Sequence, residues 1–280
     1  MPVVPREASS LILLREAPGA GELEVLMVER HANSAFAGGM YVFPGGMVDE
    51  EDCDPEFARH CAGLDPRRAA DVFEDPLPPP RALGFFVAAV RELFEEAGIL
   101  LAYEGFTGAG EHTDTAPGCR GEGPREDVKS QGGDHAGTLV SCRGEGGGRL
   151  AALRSRLRAG GITFHKMVEE EGLRLALDRL TYFAHWVTPE IMPVRFDTRF
   201  FLAPAPPCQD PLCDEDETAS LLWIAPGLAL ELCREGRFPL LPPTVANLWE
   251  LTQYATVKEA LAAAREKEVT TIMPYFGPGG

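Results

Sequence analysis

No stretch of this chain is apolar for the roughly 20 consecutive residues that a membrane-spanning helix needs. The first residues, MPVVPREASS, lack the basic region and apolar core of a secretory signal, and the last, YFGPGG, form no recognisable address. Basic charge is scarce: 26 Lys and Arg stand against 43 Asp and Glu, a formal charge of −17. So acidic a surface repels a polyphosphate backbone, which argues against general nucleic-acid binding. The seven cysteines are an odd number and contain no CxxC pair. A disulfide framework is therefore not expected, and a reduced, cytoplasmic compartment fits. Cys53, His60 and Cys61 offer only three zinc-type ligands at no recognised spacing. The expectation is a protein with neither nucleic-acid nor membrane partners, and nothing here indicates its oligomeric state.

What is present is a globular composition. Hydrophobic residues make up 45% of the 280, enough for a sizeable core in one large or two small domains. SSLILLRE (9–16) and LEVLMVER (23–30) read as strands joined by a turn, and 40–43 as a short strand leading to FPGG. Residues 55–62 read as a short helix, stopped before the prolines at 76 and 78–80, which open the next helix over 81–97. A strand is expected at 99–103. Residues 105–148 are rich in Gly, Asp, Glu and Ser and nearly without large apolar side chains. Such a stretch cannot bury enough surface to offset its ordering entropy and reads as a flexible insertion. Helices follow at 150–159 and 164–171 (Thr163 as N-cap), then strands at 181–187, 196–203 and 221–224, and helices at 226–234, 244–254 and 257–268. Strands and helices alternate without a regular βαβ rhythm, so the fold class expected is α+β.

One segment points to chemistry. RELFEEAGI (91–99) places Glu92, Glu95 and Glu96 three and four residues apart, on one face of the 81–97 helix. Leu83, Val87, Val90, Phe94 and Ala97 form the opposing apolar stripe. Two of the acids sit in the last turn, just before the C-cap Gly98, where the helix dipole is already negative. A solvated acidic face accounts for the stripe but not for this crowding. Carboxylates gathered there call for a cation, and an all-oxygen ligand set suits Mg²⁺ or Mn²⁺.

These residues carry a resemblance. The Nudix hydrolases share a box reading G-x5-E-x7-R-E-U-x-E-E-x-G-U, with U aliphatic. Arg91 to Ile99 matches its second half at every fixed position, and Pro44-Gly45-Gly46 matches its entry, with Gly46 as the first glycine. The family spaces that glycine and the Arg by fourteen residues. Here the distance is 91 − 46 = 45, so about 31 residues are inserted inside the box. The first Glu of the box falls at Asp52, in the acidic run 49–52. The resemblance implies a Nudix-type α/β/α sandwich. Its domain would be 9–235, holding the in-box insertion (53–80), the flexible insertion (105–148) and a helical insertion (149–180). A C-terminal helical extension, 236–280, would follow.

The resemblance also implies roles. Glu92, Glu95 and Glu96 would be metal ligands, joined by the backbone carbonyl of Gly46, where a glycine lets the chain approach an ion closely. Arg91 would orient, pairing with Glu95, Asp52 or another acid of the 49–52 run. The general base would be a glutamate of the box helix or of a later loop, Glu217 being the later candidate. The insertion inside the box, the partial signature Leu26-Met-Val-Glu-Arg30…Gly39…Phe43-Pro-Gly-Gly46, and Trp186-Val-Thr-Pro189 with Arg195-Phe-Asp-Thr-Arg199 are similar to the coenzyme A diphosphatase branch. Val28, His31 and Ala35 depart from that signature. Arg30, Arg195 and Arg199 are the candidates for substrate phosphates. The implied function is metal-dependent hydrolysis of a nucleoside diphosphate linked to another group, with CoA or acyl-CoA cleaved to 3′,5′-ADP and (acyl-)phosphopantetheine. ADP-ribose or a dinucleotide is the alternative substrate, and a non-catalytic nucleotide-binding module the alternative class.

Overall fold

The computed structural model describes residues 3–33, 37–105, 137–140, 145–212 and 218–274. The chain begins with the hairpin β1 (Arg6–Glu16) and β2 (Leu23–Arg30), then β3 (Tyr41–Val42) and β4 (Gly45–Met47). A 3₁₀ turn at Glu51–Cys53 leads into the in-box insertion, which holds a second at Pro55–His60 and a short helix α1 (Pro66–Ala70), and ends at the long helix α2 (Pro79–Ala97). After it come β5 (Ala102–Glu104), β6 (Thr138–Leu139), α3 (Glu145–Arg158), α4 (Phe164–Glu170), β7 (Arg174–Leu175), β8 (Thr181–Val187), β9 (Phe196–Pro204) and β10 (Thr218–Ile224). Helices α5 (Pro226–Arg234), α6 (Pro242–Leu251) and α7 (Val257–Glu266) and the strand β11 (Thr271–Ile272) complete the described chain.

The main sheet is mixed, in the order β10-β2-β1-β9-β8-β11, with β3 on β2 and β4 on β1. β1 runs parallel to β9 and antiparallel to β2 and β4. Alternation along the strands divides the core in two. Leu11 and Leu13 of β1 and Phe201 and Ala203 of β9 face α2, whereas Ile12, Leu14, Phe200 and Leu202 face the opposite layer, where α7 packs. This is the α/β/α arrangement expected. A small sheet, β6-β5-β7, adjoins the α2 layer.

Several expectations need correction. The helix at 55–62 is a 3₁₀ turn, capped by Asp54, whose side chain accepts from the Glu56 N–H at 2.9 Å. Helix α2 starts at Pro79 rather than residue 81, since a first-turn proline lacks only an N–H that would have no helical partner. Most of 105–148 lies outside the described residues, but its end does not belong to a loose insertion. Thr138 and Leu139 pair with Glu104 and Tyr103, and Val140 is buried. The described part of the C-terminal extension, 236–274, packs on the sheet. Leu248 and Leu251 of α6 and Val257, Ala260, Leu261 and Ala264 of α7 build the second core, and Thr271 and Ile272 pair with β8. No helix among the described residues is long and apolar enough to cross a membrane.

An aromatic cluster fixes α2 on the sheet. Phe201 is fully buried, with ring centroids 4.5 Å from Phe86, 5.7 Å from Tyr182 and 6.4 Å from Phe73 of the in-box insertion. Phe201→Ala should therefore cost about 3–5 kcal/mol, the usual range for emptying a large aromatic site. Urea unfolding monitored by circular dichroism measures this, and a loss below about 1 kcal/mol would mean that the cluster does not hold the insertion to the domain.

Candidate active site

The FPGG turn is held against β1 by its backbone. Pro44 O accepts from the Leu11 N–H at 2.8 Å and from Ser10 Oγ at 3.0 Å, and Gly45 and Gly46 pair with Ser10 and Ser9. A Cβ on Gly45 would lie 2.5 Å from Ser9 O and 2.8 Å from Ser10 Cα, so only glycine fits there. A Cβ on Gly46 would overlap the Glu92 carboxylate. The bare turn is thus a cradle into which α2 sends side chains.

Helix α2 brings the expected acids to that cradle. Glu96 Oε2 accepts from the Gly45 N–H at 3.0 Å, and Glu96 Oε1 lies 3.7 Å from Arg30 Nη1. Arg91 sits at the centre of the remaining acids. Its Nε and Nη2 donate to the two oxygens of Asp52 at 2.9 and 2.8 Å, Nη2 donates also to Met47 O at 2.8 Å, and Nη1 donates to Glu92 at 2.8 Å and to Glu95 at 3.3 Å. Asp52, at 2% exposure, is the acid of the 49–52 run that takes the bidentate pair, while Asp49 stands 3.5 Å away with its side chain largely exposed. The shortening from Glu to Asp is absorbed by a 3₁₀ turn that sets Asp52 directly against the guanidinium.

Electrostatics follow from this crowding. Burial, followed by repulsion from Glu96 and Glu95, pushes the Glu92 carboxyl up to about 8 against the pull of Arg91. Glu95 is raised for the same first reason, burial, with Arg91 again opposing. For Arg91 itself burial works against the charge, but the Asp52 hydrogen bond and the surrounding carboxylates outweigh it and hold the guanidinium firmly protonated.

The other candidates are placed differently. Arg199 is fully buried, its guanidinium over the rings of Phe85 and Phe73 and paired with Asp75 and Asp197. Arg195 is buried too, donating to Thr188 O and Val3 O. Neither touches the acids on α2, and neither is open to a phosphate. Their exposure was not readable from an RFDTR string, because burial of an arginine depends on which aromatic rings the fold stacks above it. Glu217 lies outside the described residues. Cys53, His60 and Cys61 do not converge: Cys53 Sγ meets Arg81, His60 meets Arg59, and Cys61 is buried, its thiol pushed up to about 12. One residue was missed altogether. Arg154 of α3 donates to the carbonyls of Glu95 and Glu96. Its signal was an arginine set between Leu150, Leu153 and Leu157 on a helix face otherwise apolar.

Comparison with known proteins agrees with the fold and the box. A family model described as the NUDT19 Nudix domain matches residues 5–251. The chain belongs to the NUDT19 Nudix domain family. It is 29% identical over 290 residues to the acyl-coenzyme A diphosphatase NUDT19 of Gallus gallus, covering 91% of this chain and 70% of that protein. It is 26% identical over 266 residues to the acyl-coenzyme A diphosphatase NUDT19 of Homo sapiens, covering 86% and 64%. The putative nudix hydrolase 7 of Caenorhabditis elegans is 25% identical over 256 residues, covering 91% and 62%. The chain thus spans about two thirds of the length of these curated relatives. Among solved structures, a NUDIX hydrolase from Alicyclobacillus acidocaldarius superposes with a TM-score of 0.67 at 26% identity, covering 93% of this chain and 96% of that one.

Nudix hydrolases as a family use divalent ions, and the residues here fit one. Among the described residues no three ligand-type side chains already surround a single point. Glu92, Glu95 and Glu96 instead lean on Arg91, Arg30 and the Gly45 N–H. Yet Glu92 and Glu96 reach the same glycine turn and repel one another, and every donor is an oxygen, which is what a hard divalent ion takes.

The two acids beside Arg91 should differ sharply. Asp52→Asn removes the buried partner of a buried cation and should cost about 3 kcal/mol or more. Asp49→Asn, at an exposed pair, should cost less than about 1 kcal/mol. Parallel denaturant titrations of the two variants test the assignment, and equal losses would show that Asp52 is not the anchor.

Proposed function

We propose that this chain is a divalent-cation-dependent hydrolase of a nucleoside diphosphate linked to another group, and that its substrate is CoA or acyl-CoA, cleaved to 3′,5′-ADP and (acyl-)phosphopantetheine. The observation that carries the reading is the convergence of Glu92 and Glu96 of α2 on the Gly45–Gly46 turn. Similarity to proteins named acyl-coenzyme A diphosphatase supports the choice of substrate.

Glu92, Glu95, Glu96 and the Gly46 carbonyl would hold Mg²⁺ or Mn²⁺. Such an ion, when bound, neutralises diphosphate oxygens and acidifies a water. The chain's own groups do the rest. Arg91 keeps Glu92 and Glu95 in place without being free to bind substrate, because its donors are taken by Asp52, Met47 O and the two glutamates. The Gly45 N–H holds Glu96 from the turn side. Arg30, about a third exposed and 3.7 Å from Glu96, would be the group offered to a substrate phosphate. A glutamate of α2 or Glu217 takes the proton of the attacking water.

The test is a panel of CoA, an acyl-CoA, dephospho-CoA, ADP-ribose and a dinucleoside polyphosphate, each with Mg²⁺ or Mn²⁺ and with chelator, scored for phosphorylated products. CoA cleavage should require the ion. Glu95→Gln and Glu96→Gln should each lower turnover by about 10²–10⁴, and Arg30→Ala should raise KM more than it lowers kcat. Dephospho-CoA, which lacks the 3′-phosphate, should be the poorer substrate. Equal rates on CoA, dephospho-CoA and ADP-ribose would remove the substrate assignment and favour the broader nucleoside diphosphate hydrolase. No turnover on any substrate with either ion would leave a nucleotide-binding module.

A further inference from the structure

The last four carbonyls of any α-helix lack partners within the helix. In α2 they belong to Phe94, Glu95, Glu96 and Ala97, and all four are satisfied. The Gly98 N–H donates to Phe94 O at 2.9 Å, and the Leu212 N–H donates to Ala97 O at 2.9 Å. The two carbonyls between them both go to Arg154. Its Nε donates to Glu95 O at 2.8 Å, its Nη2 to Glu96 O at 2.8 Å, and its Nη1 to Leu212 O at 2.6 Å. Arg154 is 6% exposed. Its planar fork spans two successive carbonyls, which a lysine ammonium cannot do with the same geometry.

The place of these bonds matters more than their number. They fall on the backbone of the two residues whose side chains crowd the end of the helix. A terminal turn ordinarily frays, and this one ends at Gly98 in the left-handed region (φ 69°). It also carries two carboxylates at the negative pole of the helix dipole, an unfavourable arrangement. Arg154 supplies a cation at that pole and pins the turn from the backbone side, while Arg91 and the Gly45 N–H hold the side chains.

We propose that Arg154 is a positioning residue for the reacting centre: by holding the Glu95 and Glu96 carbonyls it sets the rotation of the last turn of α2, and with it the direction of the two carboxylates. The inference rests on the diphosphate hydrolase reading above for its effect on turnover, but its effect on the helix end does not.

The experiment compares Arg154→Met and Arg154→Lys with the unaltered chain and with Arg149→Ala. Arg149 lies on the same helix and pairs at the surface with Glu104 and Glu171, so its loss perturbs α3 without touching α2. Three quantities are measured: hydrogen exchange of the 94–98 amides in metal-free protein, Mn²⁺ affinity by calorimetry, and kcat and KM on CoA. Arg154→Met should speed exchange at 94–98, weaken Mn²⁺ binding, and lower kcat by about 10- to 100-fold with KM changed less than about threefold. Arg154→Lys should be intermediate, and Arg149→Ala should match the unaltered chain. A cation acting only through space predicts the opposite sign for the ion, since its removal would tighten Mn²⁺ binding.

Tighter or unchanged Mn²⁺ binding in folded Arg154→Met, or unchanged exchange at 94–98, overturns the proposal. If Arg154→Met does not fold, Arg154→Lys decides, because it keeps the charge but not the two-carbonyl fork. Values equal to those of the unaltered chain in all three measurements would then overturn it. Should the unaltered chain hydrolyse no diphosphate, the functional reading fails, while the exchange measurement still decides the role of Arg154.

Discussion

Everything about this site depends on a buried arginine with too many carboxylates around it. Arg91 is held by both oxygens of Asp52 and in turn holds Glu92, Glu95 and the Met47 carbonyl. One guanidinium therefore ties together helix α2, the turn just before the in-box insertion and the strand that holds the glycine turn. Such a cluster is asymmetric in energy. Its net contribution to stability is small, because burying the ions costs nearly as much as their attraction returns, but removal of one member leaves an uncompensated charge. The arrangement is better understood as specifying geometry than as supplying stability. It tells α2 how far to stand from the FPGG turn, and that distance decides whether Glu92 and Glu96 reach it.

The second constraint is the helix end. Two glutamates in a last turn oppose the dipole, and besides Arg91 of α2 itself two arginines from elsewhere answer them, Arg30 from β2 and Arg154 from α3. Arg30 answers a side chain and stays partly exposed. Arg154 answers backbone carbonyls and is buried. The first arrangement leaves a cation facing solvent at the site, whereas the second keeps its charge away from anything that enters. Placement, rather than charge, separates a group that can meet substrate from one that can only hold the frame.

Much of this was legible in the residues alone, and what was not has identifiable causes. The strand at 23–30, the box helix with its apolar stripe, and the cap residues Thr163 and Gly98 are local signals, and the structure carries them. The convergence of Glu92 and Glu96 on one turn follows from helical spacing plus a glycine pair. The acid that meets Arg91 was not decidable within the run 49–52, because a 3₁₀ turn rather than a regular helix sets the register there. Strand Thr138–Leu139 was missed because two residues paired to a distant segment leave no periodicity. Arg195 and Arg199 looked like phosphate ligands because exposed and buried arginines are spelled alike. Arg199 is stabilised by the faces of Phe85 and Phe73, contacts that only the tertiary fold creates.

The inserted box raises the question of how a motif survives being cut. Loop closure grows only slowly in cost with length, so extra residues between Gly46 and Arg91 are affordable if the ends still meet. Here the ends meet because the insertion is not merely a longer loop. Phe57, Ala69 and Phe73 pack in the same core as Phe85, Phe86 and Phe94 of α2, so burial of its own side chains draws the insertion onto the helix. Asp52 lies just before that segment, close to the glycine turn, and Arg91 follows it on α2, so the packed insertion lets the two meet. The fixed spacing of the family's box is then one way of bringing an acid and an arginine together, and a packed insertion is another. What has to be conserved physically is the bidentate pair and the carbonyl at Met47, not the number of residues between them.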